Sequence, residues 1–303
     1  MLQEYELSII TINFNGLKDT CELIDTLPLE DESIEVIVVD NASKEDEASV
    51  IKQQYPLVNV IRSKENLGFA GGNNLGIKAA HGKYLFFINN DTILRPEVSD
   101  LRHLIKRLES SPKIGMVCPK IRYTWGDNPI QFAGFTPLSL ITLRNRPIGC
   151  GEPDQGQYDK PYMTPYAHGA AMMVKREVIE KAGRMPECYF LYYEELDWSI
   201  MIRRAGFDIW YEPSATIYHK ESQTTGQSSP LKSYYMTRNR LLFAKRNISG
   251  PPKILTYLYL IGVVAIRDIL KHTLHHRIDL SKATFNGVLG FIHSKERIQY
   301  RTQ

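Results

Sequence analysis

Three carboxylates, Glu194, Glu195 and Asp197, open a helix-like stretch in YYEELDW. The positive end of a helix dipole favours acids there, which is the ordinary reason to find them. Here, however, Phe190, Leu191, Tyr192, Tyr193 and Trp198 surround the three. An apolar, aromatic setting desolvates a carboxylate, raises its pKa and makes it a better general base. Glu195 is the first candidate for such a base; Asp197 is the second, able also to support it or bind a substrate. A fourth acid, Asp91, ends the apolar run FFINNDT. In YYMTRNR, Arg238 and Arg240 bracket an asparagine. Guanidinium forks suit phosphate oxygens, although the same spacing equally suits a solvated basic helix face.

These side chains need elements to hold them. LSIITI, IEVIVVD, VNVI and YLFFI are short apolar runs, separated by segments of helical length at Lys18 to Leu27, Glu45 to Tyr55 and Asn73 to Ala80. That alternation predicts a parallel sheet covered on both faces, with its ligand outside the carboxyl ends of the strands. Asn13, Asp40 and Asp91 each fall just past such an end. One Asx after a strand is an ordinary turn; three delivered to one sheet edge suggest a site. Further on, residues 123 to 165 read as an irregular excursion, followed by a strand at GAAMMV and a helix closed by Gly183. A second helix runs from Glu194 to Gly206, and two strands, IWYEP and ATIYH, follow.

The bulk numbers narrow the class. The chain has 303 residues, 43% hydrophobic and 23% charged, with a net charge of +3. It can bury a sizeable core, and its charge does not announce a nucleic-acid partner. Cys21, Cys118, Cys150 and Cys188 are dispersed, which fits a reducing compartment better than a disulfide framework. No basic-then-apolar leader opens the chain, so a cytoplasmic location is expected. The turn after the first strand reads Asn13-Phe14-Asn15-Gly16, without the dinucleotide fingerprint, and no GxxxxGK[ST] occurs. The glycine-rich NLGFAGGNNLG, Asn66 to Gly76, could be no more than a flexible loop before a helix.

LSIITINFNG, IEVIVVDNAS, NLGFAGGNNLGI, FFINNDT, GAAMMVKREVIEKAG and FLYYEELDWSIMIRRAGF occur in that order. Together they resemble the family-2 inverting glycosyltransferases of the GT-A fold, with the closest look to bacterial rhamnosyltransferase-like members, from about residue 6 to about residue 246. The resemblance implies an α/β GT-A fold with a mostly parallel central sheet, helices on both faces and a C-terminal helical tail. Residues 1–246 would form the transferase domain, with a nucleotide-sugar half at 1–122 and an acceptor half at 123–246. Residues 247–303 would be a helical extension. It further implies a nucleotide-diphosphate sugar donor, a divalent metal (Mn²⁺ or Mg²⁺) and a saccharide or lipid-linked saccharide acceptor. By the resemblance, Thr11, Asn13, Asp40, Asn41, Asn66, Gly68, Asn73 and Asn90 hold the nucleotide sugar, and the guanidinium forks of Arg238 and Arg240 would clamp the donor diphosphate or a lipid diphosphate acceptor. Asp91 and His219 hold the metal, and Gly169, Glu194 and Trp198 meet the acceptor. Glu195 stands at the catalytic base, usually an Asp. Asn89 departs from the family's DxD motif, leaving Asp91 as its one anionic ligand.

The chemistry is self-consistent. A departing diphosphate gathers charge that a divalent cation stabilises, and Mg²⁺ needs only one or two protein carboxylates. A histidine ligand tilts the preference toward Mn²⁺. The alternatives are a sugar-1-phosphate nucleotidyltransferase and a catalytically silent nucleotide- or glycan-binding protein. ESQTTGQSSP, Glu221 to Pro230, has the composition of a mobile loop that could close over the donor. Residues 254 to 266 form an apolar stretch next to basic residues, shorter than the ~18 to 20 residues that cross a bilayer. It suits peripheral contact with the inner membrane face, packing on the core, or a dimer contact.

Overall fold

A computed structural model describes residues 5–221 and 229–293. Most of the loop expected at Glu221 to Pro230 lies outside the described residues.

The apolar runs of the first half form strands β1 (Leu7–Asn13), β2 (Ile34–Asp40), β3 (Asn59–Arg62) and β4 (Tyr84–Ile88). They pair in parallel in the order β3-β2-β1-β4. The helices between them are α1 (Leu17–Ile24), α2 (Glu47–Gln54) and α3 (Gly68–Ala79). Asp46 caps α2 by accepting from the Ser49 N–H, which satisfies one of the donors left open at a helix start. Leu7, Ile9 and Ile10 on β1 are buried, each contributing roughly 1.5–3 kcal/mol of apolar burial.

The second half completes one mixed sheet. Its elements are β5 (Thr92–Leu94), α4 (Arg102–Glu109), β6 (Ile114–Tyr123), β7 (Ile130–Phe132), β8 (Tyr162–Met163), β9 (Ala171–Lys175), α5 (Arg176–Ala182), α6 (Glu194–Arg204) and β10 (Asp208–His219). The order continues β4-β9-β6-β10-β5. Strand β9 runs antiparallel to both β4 and β6, while β6 and β10 are parallel. The two strands expected at IWYEP and ATIYH are one strand, β10, irregular between Glu212 and Thr216. The excursion at 123 to 165 contributes only the short edge strands β7 and β8.

The glycine-rich stretch is helical from Gly68 onward rather than a loop. The reason is close packing on β1. A Cβ at Gly76 would stand 2.5 Å from Ile10 Cγ2, and one at Gly72 would stand 2.9 Å from Ile12 Cδ1. The glycines let the helix lie directly on the sheet, so here they serve contact rather than flexibility.

Beyond the sheet, α7 (Pro230–Asn247), α8 (Pro251–Tyr259), a π-helical turn (Leu260–Ala265), α9 (Ile266–Leu274) and α10 (Ile278–Ile292) follow. Ser229 caps α7 and Pro230 occupies its first turn, a combination that fixes a helix start. A second core joins Leu241, Leu242 and Phe243 of α7 to Tyr189, Leu196, Leu143, Leu260 and Val264. Among the described residues, no helix is long and apolar enough to cross a membrane.

Gly76→Ala should destabilise the protein. Helix propensity would gain up to about 1 kcal/mol, but forcing a methyl against buried Ile10 costs about 1–3 kcal/mol. Denaturant unfolding with an unchanged m-value measures the difference.

Candidate active site

Parallel register sets Asn13 opposite Asp40 at the ends of β1 and β2. The Asn13 amide nitrogen donates to Asp40 Oδ1 (3.0 Å), Ser43 Oγ (3.2 Å) and Glu47 Oε2 (2.7 Å), and its oxygen accepts from Thr20 (2.7 Å). Asn13 is therefore fully engaged in holding the sheet edge. Thr11 Oγ1 and Asp40 Oδ2 are buried yet make no hydrogen bond among the described residues, with Arg62 Nε 3.5 Å from the latter. Asn41 donates to Asn66 Oδ1 (3.1 Å) and to the Gly68 carbonyl (3.0 Å), and accepts from the Leu67 N–H (2.9 Å). These two asparagines thus shape the turn that starts α3. Asn73 turns back onto the Phe69 carbonyl, and Asn90 donates to Thr20.

The pairing of β5 with β10 places His219 opposite Thr92, beside Asp91. His219 Nε2 lies 3.1 Å from Asp91 Oδ1, and Asn89 Nδ2 is 3.5 Å from the same ring nitrogen. Gln131 Oε1 stands 2.8 Å from His219 Nδ1. Because the amide oxygen only accepts, Nδ1 carries a proton, and Nε2 is the nitrogen turned to the Asp91 carboxylate. Among the described residues no cluster of three His, Cys, Asp or Glu side chains could hold a metal. One carboxylate and one imidazole still fit a divalent ion that takes its remaining ligands from water and phosphate.

Helix α6 begins from a strained approach. Phe190, Tyr192 and Tyr193 have φ of +68°, +70° and +79°, a left-handed conformation that costs bulky residues about 1–2 kcal/mol each. Asn239 on α7 holds this segment. Its buried amide donates to the carbonyls of Tyr189 (2.9 Å), Leu191 (2.7 Å) and Tyr192 (3.0 Å). Arg238 donates to the Cys188 carbonyl (3.1 Å) and to Asn239 Oδ1 (2.9 Å). From the other side, the Phe69 N–H donates to the Phe190 carbonyl (2.8 Å). A Cβ at Gly68 would stand 2.1 Å from that oxygen, so only glycine fits. Arg240 donates to the Thr142 carbonyl. Both arginines therefore bind backbone of their own chain in this structure.

The acids of α6 take three different environments. Asp197 is buried and accepts from Arg246 Nε (2.6 Å), Asn247 Nδ2 (2.7 Å) and the Tyr189 hydroxyl (3.0 Å). It ties α6 to the end of α7 and has no free geometry for proton transfer. Glu194 is buried, and its Oε2 has no partner among the described residues. Desolvation, then the neighbouring Glu195, raises its pKa well above the carboxylate range. Glu195 is half-buried, and desolvation raises its pKa too. Trp198 lies wholly in the core, edge-on to Phe87 and donating to the Gly183 carbonyl; the sheet closes it to any acceptor.

The turn before β9 connects the acid helix to the Asp91–His219 pair. The His168 ring is 6.4 Å from that of His219 and stacks on Phe135. A Cβ at Gly169 would be 3.7 Å from Glu195 Cγ, and the Ala170 carbonyl accepts from the Asn89 N–H (3.0 Å). Asp91, His219, His168, Gly169 and Glu195 thus follow one another as a run of neighbours. Burial and the adjacent His219 push the His168 pKa down to about 3, so it is neutral there. Sequence reasoning passed over His168, Gln131, Asn239 and Asn74. Asn74 of α3 donates to the Met185 carbonyl (2.8 Å) and Glu187 (2.8 Å). Only HG immediately before the AAMMV strand offered a signal for His168.

A family model described as Glycosyl transferase family 2 matches residues 8–183. The low-salt glycan biosynthesis hexosyltransferase Agl10 of Haloferax volcanii is 28% identical over 245 residues, which are 78% of this chain and 75% of that protein. The dTDP-rhamnosyl transferase RfbF of Shigella flexneri is 24% identical over 308 residues, 93% of this chain and 94% of the other. Among solved structures, the mannosyltransferase PcManGT from Pyrobaculum calidifontis, in complex with GDP-Man and Mn²⁺, aligns with a TM-score of 0.59 at 15% identity, covering 97% of this chain and 89% of that one. At that identity the likeness speaks for the fold, which is GT-A-like.

Two outcomes follow from the acid helix. Asn239→Ala leaves three carbonyls, one buried and two part-buried, short of a donor and should cost about 2–4 kcal/mol in denaturant unfolding. Glu194 keeps its proton longer when folded than when unfolded. Stability is therefore undiminished on its account at low pH and falls as pH rises from the ordinary carboxylate range toward the raised value. Glu194→Gln should raise the melting temperature at pH 7 and leave it nearly unchanged at pH 4.

Proposed function

The chain belongs to glycosyl transferase family 2, and from that premise we propose that it moves a sugar from a nucleotide-diphosphate sugar to a hydroxyl of a saccharide or lipid-linked saccharide, inverting the anomeric carbon in a single displacement. One observation carries this reading: a run of neighbours through His168 and Gly169 joins the Asp91–His219 pair to the half-buried Glu195. Membership in this family sets aside the nucleotidyltransferase alternative.

In this reading residues 1–122 receive the donor, residues 123–246 the acceptor, and residues 247–303 form the helical extension. Thr11 Oγ1 and Asp40 Oδ2, buried and without hydrogen bonds among the described residues, accept from N–H or hydroxyl groups of the nucleoside. Asn41 and Asn66 keep the start of α3 in place beside it, and Asn73 and Asn90 line the approach. Asp91 and His219 would hold Mn²⁺ or Mg²⁺. The bound ion supplies Lewis-acid stabilisation of the charge that collects on the diphosphate as the glycosidic bond breaks.

Glu195 takes the proton of the acceptor hydroxyl as its oxygen attacks. Desolvation raises the pKa of Glu195, which increases its appetite for that proton. Glu194, buried beside it, is raised as well, by desolvation and then by the Glu195 carboxylate. His168, neutral and stacked on Phe135, gives the sugar a flat, uncharged neighbour. The strained Phe190–Tyr193 segment and its Asn239 clamp fix the direction of Glu195, because positioning of a base is worth as much as its basicity.

Asp91→Ala and Glu195→Gln should each reduce transfer by about 10²–10⁴-fold. Glu195→Gln should keep donor affinity, measured by calorimetry with Mn²⁺ and sugar nucleotides; wild-type turnover in this variant would remove Glu195 as base. Donor binding without turnover in the wild type would favour the silent-protein alternative. The acidic limb of kcat/KM should lie above the ordinary carboxylate range, since Glu195 must be ionised and its pKa is raised.

A further inference from the structure

The helix running through α8, the π turn and α9 turns a long apolar stripe to solvent. Ile254, Leu255, Leu258, Val263, Ile266 and Leu270 are each at least half exposed, and Leu274 reaches 79%. They recur at helical spacing, with one longer step through the π turn at Leu260–Ala265. A π turn takes up an extra residue without breaking the helix, which lets the stripe continue from α8 into α9. The opposite side of the helix, Thr256, Leu260, Val264 and Ala265, is buried. Thr256 Oγ1 donates to the Leu140 carbonyl (2.7 Å). That contact sets exposed Leu140 and Ile141 beside the stripe.

Charge says what covers it. Residues 251–303 hold eight Lys and Arg against three Asp and Glu, a net charge of +5, while residues 1–250 are net −2. Among the described residues of this segment, both acids, Asp268 and Asp279, are paired with arginines. Lys271 and Lys282 are exposed. A second copy would bring an equally basic face against this one, and like charges oppose that association. An anionic lipid surface satisfies both features: acyl chains take the stripe and headgroups take the cations.

We propose that the α8–α9 face, extended by Leu140 and Ile141, docks flat on the surface of an anionic membrane. The inference deepens the reading above, because a lipid-linked acceptor would be met at that surface. Its evidence is separate, and membrane binding requires neither donor nor metal. Docking would also bear on the acid helix, since α7 packs against α8 and α10 and carries Asn239.

The test is sedimentation of the full chain with phosphatidylcholine vesicles, with and without about 30% phosphatidylglycerol. Binding should require the anionic lipid and fall at about 0.5 M salt. The double variant Leu258→Glu/Leu270→Glu should lose at least about tenfold in partitioning while keeping its melting temperature and its transfer to a soluble acceptor. Lys271→Glu, which leaves the stripe intact, should weaken binding severalfold, and Leu57→Glu, at an exposed position far along the chain, should not. A chain that stays in the supernatant with anionic vesicles overturns the proposal. So does a dimer, seen by sedimentation velocity, that the double variant splits while vesicle binding is absent. Transfer activity lost in every preparation that still binds vesicles would count against the enzymatic reading alone.

Discussion

The backbone from Tyr189 to Tyr193 is the constraint on which the site turns. Three aromatic residues sit there in a conformation that their side chains oppose, at a combined cost of about 3–6 kcal/mol. Opposing it are the three hydrogen bonds of Asn239, the Arg238 guanidinium on the Cys188 carbonyl and the Phe69 N–H on Phe190. Relaxing the segment would rotate the start of α6 and with it Glu194 and Glu195. It would also uncouple the start of α3, where Gly68 has room only because the Phe190 carbonyl occupies one fixed place. The starts of α3 and α6 thus share a single strained joint.

The carboxylates divide by surroundings rather than by type. Asp91 faces an imidazole whose far nitrogen is fixed by Gln131. Asp197 is paired with Arg246 and hydrogen-bonded by Asn247, and breaking such a buried ion pair costs about 3–5 kcal/mol. Glu194 and Glu195 have no counter-cation among the causes of their shifts, and desolvation leads in both. The same functional group therefore faces an imidazole, ties two helices together or lies desolvated within a short span of structure, as the water and charge around it decide.

Strands β1, β2 and β4 were legible because a strand buried on both faces writes itself as an unbroken apolar run, while β3 is a shorter, partly exposed edge strand. The polar residues at the strand ends followed from the parallel arrangement, whereas the strand order was not predicted. The antiparallel insertion of β9 did not, since an apolar strand reads the same in either direction. The glycine-rich stretch misled because a glycine's task is set by what lies opposite, here Ile10 and Ile12, distant in sequence. Asp197 looked like a second base because its neighbours are aromatic, and Trp198 an acceptor contact by the resemblance; helical geometry turns both into the core while Glu195 stays half-buried. Gln131 acts through His219, and Asn239 through Tyr189 to Tyr192. Each of those partners is settled only by tertiary pairing, and an isolated Gln or Asn gives no sign of it.

Asp197 bonded to Arg246 and Asn247 at the far end of α7 gives the C-terminal helices a second meaning. They cannot be exchanged as a module against those of another transferase by joining at the end of the sheet. A chimera would have to inherit Asn239, Arg246 and Asn247 from the same parent as Tyr189 to Asp197. Acceptor preference, if recombined, would travel with that whole block.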